Sequence, residues 1–319
     1  MSLPPVAVGL NAVVIAAGET APQVLVVPRK SKEPALPFGP FDPARHRTFE
    51  IGLREWVSEQ AQFQLGYVEQ LYTFGDRGRE APLADLPASN EARIISIGYL
   101  ALTPEAKSLP SGGGEWWNWY MFFPWEDWRN GKPSILSDEI EPALRNWIDE
   151  AETEGRRASR RDRTRANFGL DNRPWIEERC LDRYELLYSA GLIAESARDR
   201  DERLASPAIS RSMASDHRRI MATAISRLRG KIKYRPVVFE LMQDVFTLSR
   251  LQQVVEGIVG YPLHKQNFRR ALDRSGFIEG TGKLEARTGG RPAELFRYRR
   301  EVLRQGEATG ISVPRLRLN

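Results

Sequence analysis

Cysteine is almost missing from this 319-residue chain, which has Cys180 and no other. No disulfide can form within the chain, which fits a reducing compartment and a cytoplasmic protein. Histidine is scarce as well. His46, His217 and His264 lie far apart, and with a single thiol they argue against a Cys/His zinc site. Long apolar runs are absent too, so no membrane partner is expected. The apolar stretch from Val6 to Ala17 lacks the positive start of a signal peptide and reads as a strand. The apolar content, 41%, is ordinary for a globular protein, and the length suits two domains.

What is present is unevenly spread. Residues 211–300 hold 19 Lys/Arg against 8 Asp/Glu, a balance of +11, while the whole chain carries +5, so the remainder is −6. One end is suited to a polyanion. That end also has the pattern of a winged helix. Thr247-Leu-Ser249 precedes Leu251, Val254, Val255 and Ile258 at helical spacing, and Gly260-Tyr-Pro262 breaks the helix. A second helix is expected from His264 to Arg274, with Phe268, Ala271 and Leu272 on its inner side and Gly276 as its stop. Phe277-Ile278 and Leu295–Tyr298 read as strands flanking a Gly-rich basic loop. Lys265, Gln266, Asn267, Arg269, Arg270 and Arg274 are the candidate DNA contacts in the helix, with Arg287 and Arg291 in the loop. Such side chains bond base edges in a major groove or hold phosphates. At about 100° per residue, Gln266, Arg269, Arg270 and Arg274 fall closest to one face. A winged helix that binds only protein is the alternative.

At the other end, Val6–Ala16 and Gln23–Pro28 read as neighbouring strands. A Pro/Gly loop leads to a helix, Phe49–Phe63, on which Glu55 and Glu59 share a face. Leu53-Arg-Glu-Trp-Val-Ser-Glu-Gln60 resembles the core of a Nudix box, G-x5-E-x7-R-E-U-x-E-E-x-G-U. Arg54, Glu55 and Glu59 match. Pro40, His46, Ser58 and Ala61 stand where the pattern has Gly, Glu, Glu and Gly. Such carboxylates hold Mg²⁺ across a diphosphate. Here the loss of two acids leaves at most a weak Mg²⁺ site at Glu55 and Glu59, with no cofactor required and no catalytic residue assigned. The other reading of the two glutamates is a solvated helix face.

Leu71-Tyr-Thr-Phe-Gly-Asp-Arg-Gly-Arg79 and the strand Arg93–Leu102 are similar to segments of the Nudix-related transcriptional regulators of NAD metabolism. So are Ala224–Tyr234, Thr247–Gln252, Asn267-Phe-Arg-Arg270 and Gly289-Gly-Arg-Pro-Ala293. The resemblance covers about residues 1–102 and 184–300. It implies an α/β Nudix-like sandwich followed by a winged helix-turn-helix domain. It also implies a repressor that binds a double-stranded DNA operator as a homodimer and responds to ADP-ribose or a related nucleotide. Arg54, Phe74 and Arg79 are its implied ligand residues, Phe74 either stacking on the ligand or filling core. An active hydrolase of ADP-ribose-like nucleoside diphosphates is the alternative function. The expected domains are 1–210, with an insertion at about 103–183, and 211–319, beginning with a connecting helix from Asp216 to Arg229.

Within the insertion, Glu115–Trp128 is dense in aromatics and reads as a core or interface strand. Ile140–Ala151 reads as an amphipathic helix, and Trp175–Leu192 as another. The run Arg156–Arg165 reads as a solvated loop or helix end, or else as an extra phosphate contact.

Overall fold

The computed structural model describes residues 5–28, 33–76, 93–110, 113–202, 209–285 and 292–299. The N-terminal part runs β1 (Val6–Ala16), β2 (Gln23–Val26), β3 (Phe38–Pro40), α1 (Phe49–Ala61), β4 (Tyr67–Phe74), β5 (Arg93–Thr103) and β6 (Glu115–Asn118). Four helices follow: α2 (Glu141–Asp149), α3 (Glu154–Phe168), α4 (Cys180–Ser189) and α5 (Ala194–Asp199). Then come α6 (His217–Ile232), β7 (Phe246–Thr247), α7 (Leu248–Val259), α8 (Lys265–Ser275), β8 (Ile278–Glu285) and β9 (Ala293–Tyr298).

The first six strands form one sheet in the order β4-β5-β1-β2-β6, with β3 also paired to β1. β1 and β5 are parallel along their whole length and antiparallel partners flank them. Side chains alternate across a strand, so β1 serves two cores. Leu10, Ala12 and Val14 meet Leu53, Val57 and Ala61 of α1 on one face. Val13 and Ile15 share the other core with Leu100, Leu102 and Ile220, Met221, Ala224 and Ile225 of α6. The segment expected as a connecting helix is thus also the second helical layer of the sandwich. Close approach is eased at Gly98 of β5, where a Cβ would lie 3.0 Å from Ile220 Cγ2.

The aromatic stretch is a strand only over β6. From Trp119 to Glu126 it coils into two short 3₁₀ turns that drive Trp119, Phe122, Phe123 and Trp125 into the core. Tryptophan and phenylalanine at consecutive positions cannot all face one side of a strand; tight turns bury them together. The basic run, expected as a solvated loop or helix end, is the body of α3. Thr153 caps it by accepting from Arg156 N, and Thr164 and Phe168 bury its inner face.

In the C-terminal domain Thr247 caps α7, and Gly260 (φ 88°) and Gly276 (φ 64°) end α7 and α8 in the left-handed region. β8 is longer than expected and carries Thr281-Gly-Lys283 within it; β7 adds a third strand, so the sheet order is β7-β9-β8. The two-residue β7 is too short to show a period in sequence.

Candidate functional site

α8 buries Phe268 and Leu272 and leaves Lys265, Gln266, Asn267, Arg269, Arg270 and Arg274 exposed. Gln266, Arg270 and Arg274 lie opposite the buried pair at about 100° per residue, with Lys265, Asn267 and Arg269 at the flanks. Among the described residues none of these cations has an ion-pair partner, unlike Arg297, which pairs with Glu279 at 2.5 Å. Asp273 is the single acid in the helix. A cationic, donor-rich helix face kept free of internal partners can bond base edges and phosphates. Arg287 and Arg291 lie outside the described residues, as does Arg79.

The face of α1 is organised differently. Arg45 hydrogen-bonds Glu55 and sits 3.7 Å from Glu59. His46 is buried, its Nδ1 accepting from Asp42 N at 3.1 Å and its Nε2 lying 3.2 Å from Glu55 Oε2. Arg54 holds Glu50 and donates to the carbonyls of Leu65 and Gly66, the latter at 3.0 Å. Ser58 accepts from Gln64, Ala61 is fully buried, and the Pro40 carbonyl accepts from Trp56 Nε1 at 2.9 Å. The four departures from the Nudix pattern therefore have structural occupations. The fold implies a divalent metal here, but the residues present do not fit one: the two acids face a guanidinium and an imidazole. Among the described residues no group of three or more His, Cys, Asp and Glu is placed to hold a metal ion. Phe74 is buried beneath α6, with the Arg219 guanidinium 5.4 Å from its ring centre.

α6 packs on the other face of the sheet from α1 and contacts β4, β5 and α7. Arg219 reaches Asp76 just after β4 (2.5 Å), Glu185 of α4 (2.6 Å) and Asp216 (3.2 Å), and Lys231 pairs with Glu69 of β4. Toward the winged helix, Arg229 donates to Ile258 O at 2.7 Å near the end of α7 and also to Glu126. Glu126 is buried and receives Arg183 at 2.6 and 2.8 Å. Burial alone would raise its pKa, but the charges and hydrogen bonds of Arg183 and Arg229 outweigh that and hold it below the ordinary value. Burial and Glu126 push the Cys180 thiol well up, so it is inert. Tyr120 donates to Gly257 O at 2.7 Å, Trp128 N to Gly260 O at 2.6 Å, and Tyr261 to Glu177 at 3.2 Å. The turn between the two helices of the winged helix is therefore latched to Tyr120, Trp128 and Glu177.

Sequence reasoning missed Arg45, Arg219 and the Glu126 cluster. The first stands at a variable position of the box, where the pattern names no residue type. For the cluster, the available signal was Glu126 embedded in an aromatic run, since a buried acid demands cationic partners.

Residues 238–298 match the family model described as the NrtR DNA-binding winged helix domain. A curated relative from Acinetobacter baylyi, named ADPR responsive transcriptional repressor NtrR, is 37% identical over 91 residues, 28% of this chain and 36% of the relative. The match thus spans about a third of that protein. The structure of Shewanella oneidensis NrtR complexed with a 27mer DNA superposes with a TM-score of 0.55 at 17% identity, covering 96% of this chain and 99% of the other. A MutT/nudix family protein from Enterococcus faecalis gives 0.53 at 15% identity, covering 94% and 90%. The fold is that of a Nudix-like sandwich followed by a winged helix, and the C-terminal domain is of the NrtR type.

Proposed function

We propose that this chain is a DNA-binding transcriptional repressor of NAD metabolism genes, with a catalytically degenerate Nudix-like domain that senses ADP-ribose or a related nucleotide. The observation that carries the reading is the free cationic face of α8, in a domain that matches a DNA-binding family model. The name of the Acinetobacter baylyi relative supports the effector. The pairing of Glu55 and Glu59 with Arg45 weighs against a hydrolase, because carboxylates engaged by a guanidinium are not poised for Mg²⁺.

In this reading Gln266, Arg270 and Arg274 enter the major groove, and the wing lies along the backbone. A homodimer sets two such helices about 34 Å apart, one turn of DNA, matching a palindromic operator. The nucleotide acts by binding the DNA-competent and DNA-incompetent arrangements unequally. α6 links the sandwich to the winged helix: Arg219 contacts Asp76 after β4, and Arg229 contacts the end of α7. Among the described residues no helix is long and apolar enough to cross a membrane, and the reading places the protein in the cytoplasm with its DNA.

The test is retention of DNA from the gene's own upstream region and from NAD-gene promoters, with unrelated DNA as competitor. Arg270→Ala should weaken specific retention by about 1–3 kcal/mol. Retention by that variant equal to the wild type would remove α8 as the reading helix. Release of AMP from ADP-ribose and Mg²⁺, lost in Glu59→Gln, would establish the hydrolase instead.

A further inference from the structure

The acids of the α1 face are matched to a cation that the chain itself supplies. Asp42 builds the turn that presents it: its side chain accepts from Ala44 N at 2.9 Å, and its carbonyl accepts from Arg45 N at 3.1 Å and His46 N at 2.8 Å. Arg45 then reaches across to α1, hydrogen-bonding one oxygen of Glu55 and lying 3.7 Å from Glu59. His46 Nδ1 accepts the Asp42 N–H, and its Nε2 lies 3.2 Å from the other oxygen of Glu55. The rings of Phe41 and Trp56 hold that imidazole in place, at 5.8 and 6.3 Å between centroids.

One oxygen of Glu55 is thereby held by the guanidinium, and the other lies beside the buried imidazole. A divalent ion of the Mg²⁺ class needs carboxylate oxygens at about 2.0–2.1 Å in near-octahedral array. It would have to displace the guanidinium or sit beside its charge. The two acids and Arg45 sum to −1, and the positions that would add acids are His46 and Ser58. Arg45 remains half exposed, and of its five N–H donors the carboxylate contact engages those of one terminal nitrogen. A planar guanidinium fixed by one anion can present its other edge to a second.

We propose that Arg45 takes the place of the divalent cation, so that this face receives the diphosphate of a nucleoside diphosphate without metal, Glu55 and Glu59 serving to position Arg45. The inference rests on the nucleotide-sensing reading above. It also gives a physical reason why a Nudix-like face can bind its ligand and leave it intact: the cation that anchors the phosphates carries no water to activate.

The test uses the full-length protein in two titrations. In the first, Mn²⁺ is followed by its electron paramagnetic resonance without nucleotide. The wild type should show no site that depends on Glu59, whereas Arg45→Ala should gain one that Arg45→Ala/Glu59→Gln loses. In the second, ADP-ribose is titrated in EDTA and in Mg²⁺. The wild type should bind equally in both, and Arg45→Ala should lose about tenfold or more in EDTA and recover part of it in Mg²⁺. Arg45 is on the surface, so the variant's fold is checked simply by circular dichroism. Wild-type Mn²⁺ binding that Glu59→Gln abolishes, or ADP-ribose affinity that collapses in EDTA, would overturn the proposal. Failure of ADP-ribose to bind in either buffer would instead sink the choice of nucleotide, while the Mn²⁺ titration still decides whether Arg45 replaces the metal.

Discussion

Replacing Glu126 by alanine removes the one carboxylate that two fully buried arginines share. Arg183 and Arg229 would keep carbonyl partners at Asn167, Ile176, Ile258 and Glu177, but their charges would be left uncompensated. Breaking a buried ion pair by deleting one member costs about 3–5 kcal/mol, and the cavity adds to it. Against a domain stability of roughly 5–15 kcal/mol, the expected loss is a large fraction of the whole. Urea unfolding followed by tryptophan fluorescence suits the case, since Trp125, Trp128 and Trp175 surround the cluster. A triple change of Glu126, Arg183 and Arg229 to methionine should cost less than the single change, because the buried charges leave together. The pH dependence follows from the lowered carboxyl. Its stabilisation is complete above the unfolded value, near 4.5, and is lost as pH falls through the depressed folded value. Glu126→Gln should lose that part of the acid sensitivity. A cost below about 1 kcal/mol for Glu126→Ala, measured at pH 7, would refute the view that this carboxylate compensates the two buried arginines.

Three further outcomes are expected. Gly260→Ala should destabilise by more than about 2 kcal/mol in the same unfolding assay, since its φ of 88° is strained for alanine and a Cβ would lie 2.3 Å from Glu126 O. Arg270→Ala should weaken DNA binding by about 1–3 kcal/mol if the arginine reads a base; a loss equal on all sequences, with a salt slope lower by about 0.9, would assign it to a phosphate instead. Joint replacement of Arg161 and Arg163, which have no ion-pair partner among the described residues, should lower the same slope if α3 touches phosphates, and an unchanged slope would confine DNA binding to the winged helix.

Much of this architecture was legible in the residues. Leu251, Val254, Val255 and Ile258 on α7, and Phe268 and Leu272 on α8, follow a helical period because one face of each is buried. The β1–β2 hairpin and β5 declared themselves through runs rich in Val, Ile and Leu. The rest was hidden for definite reasons. The first half of α3 is a string of arginines with almost no apolar stripe, so its helix shows in capping and in Phe168 alone. Trp119 to Trp125 carried no period because 3₁₀ turns bury successive rings. α6 looked like a linker since its apolar residues serve a sheet that ended more than 100 residues earlier. Among site residues, the α8 side chains could be read from composition and spacing. Arg45 could not, because its role depends on a turn at Asp42 that brings it back onto Glu55.

The most direct measurement is a titration of DNA from the gene's own upstream region and from NAD-gene promoters, with and without ADP-ribose. The account predicts sequence-specific binding that the nucleotide weakens. Specific binding that ADP-ribose leaves unchanged would contradict the proposed effector, and no specific binding to any of these regions would contradict the repressor itself.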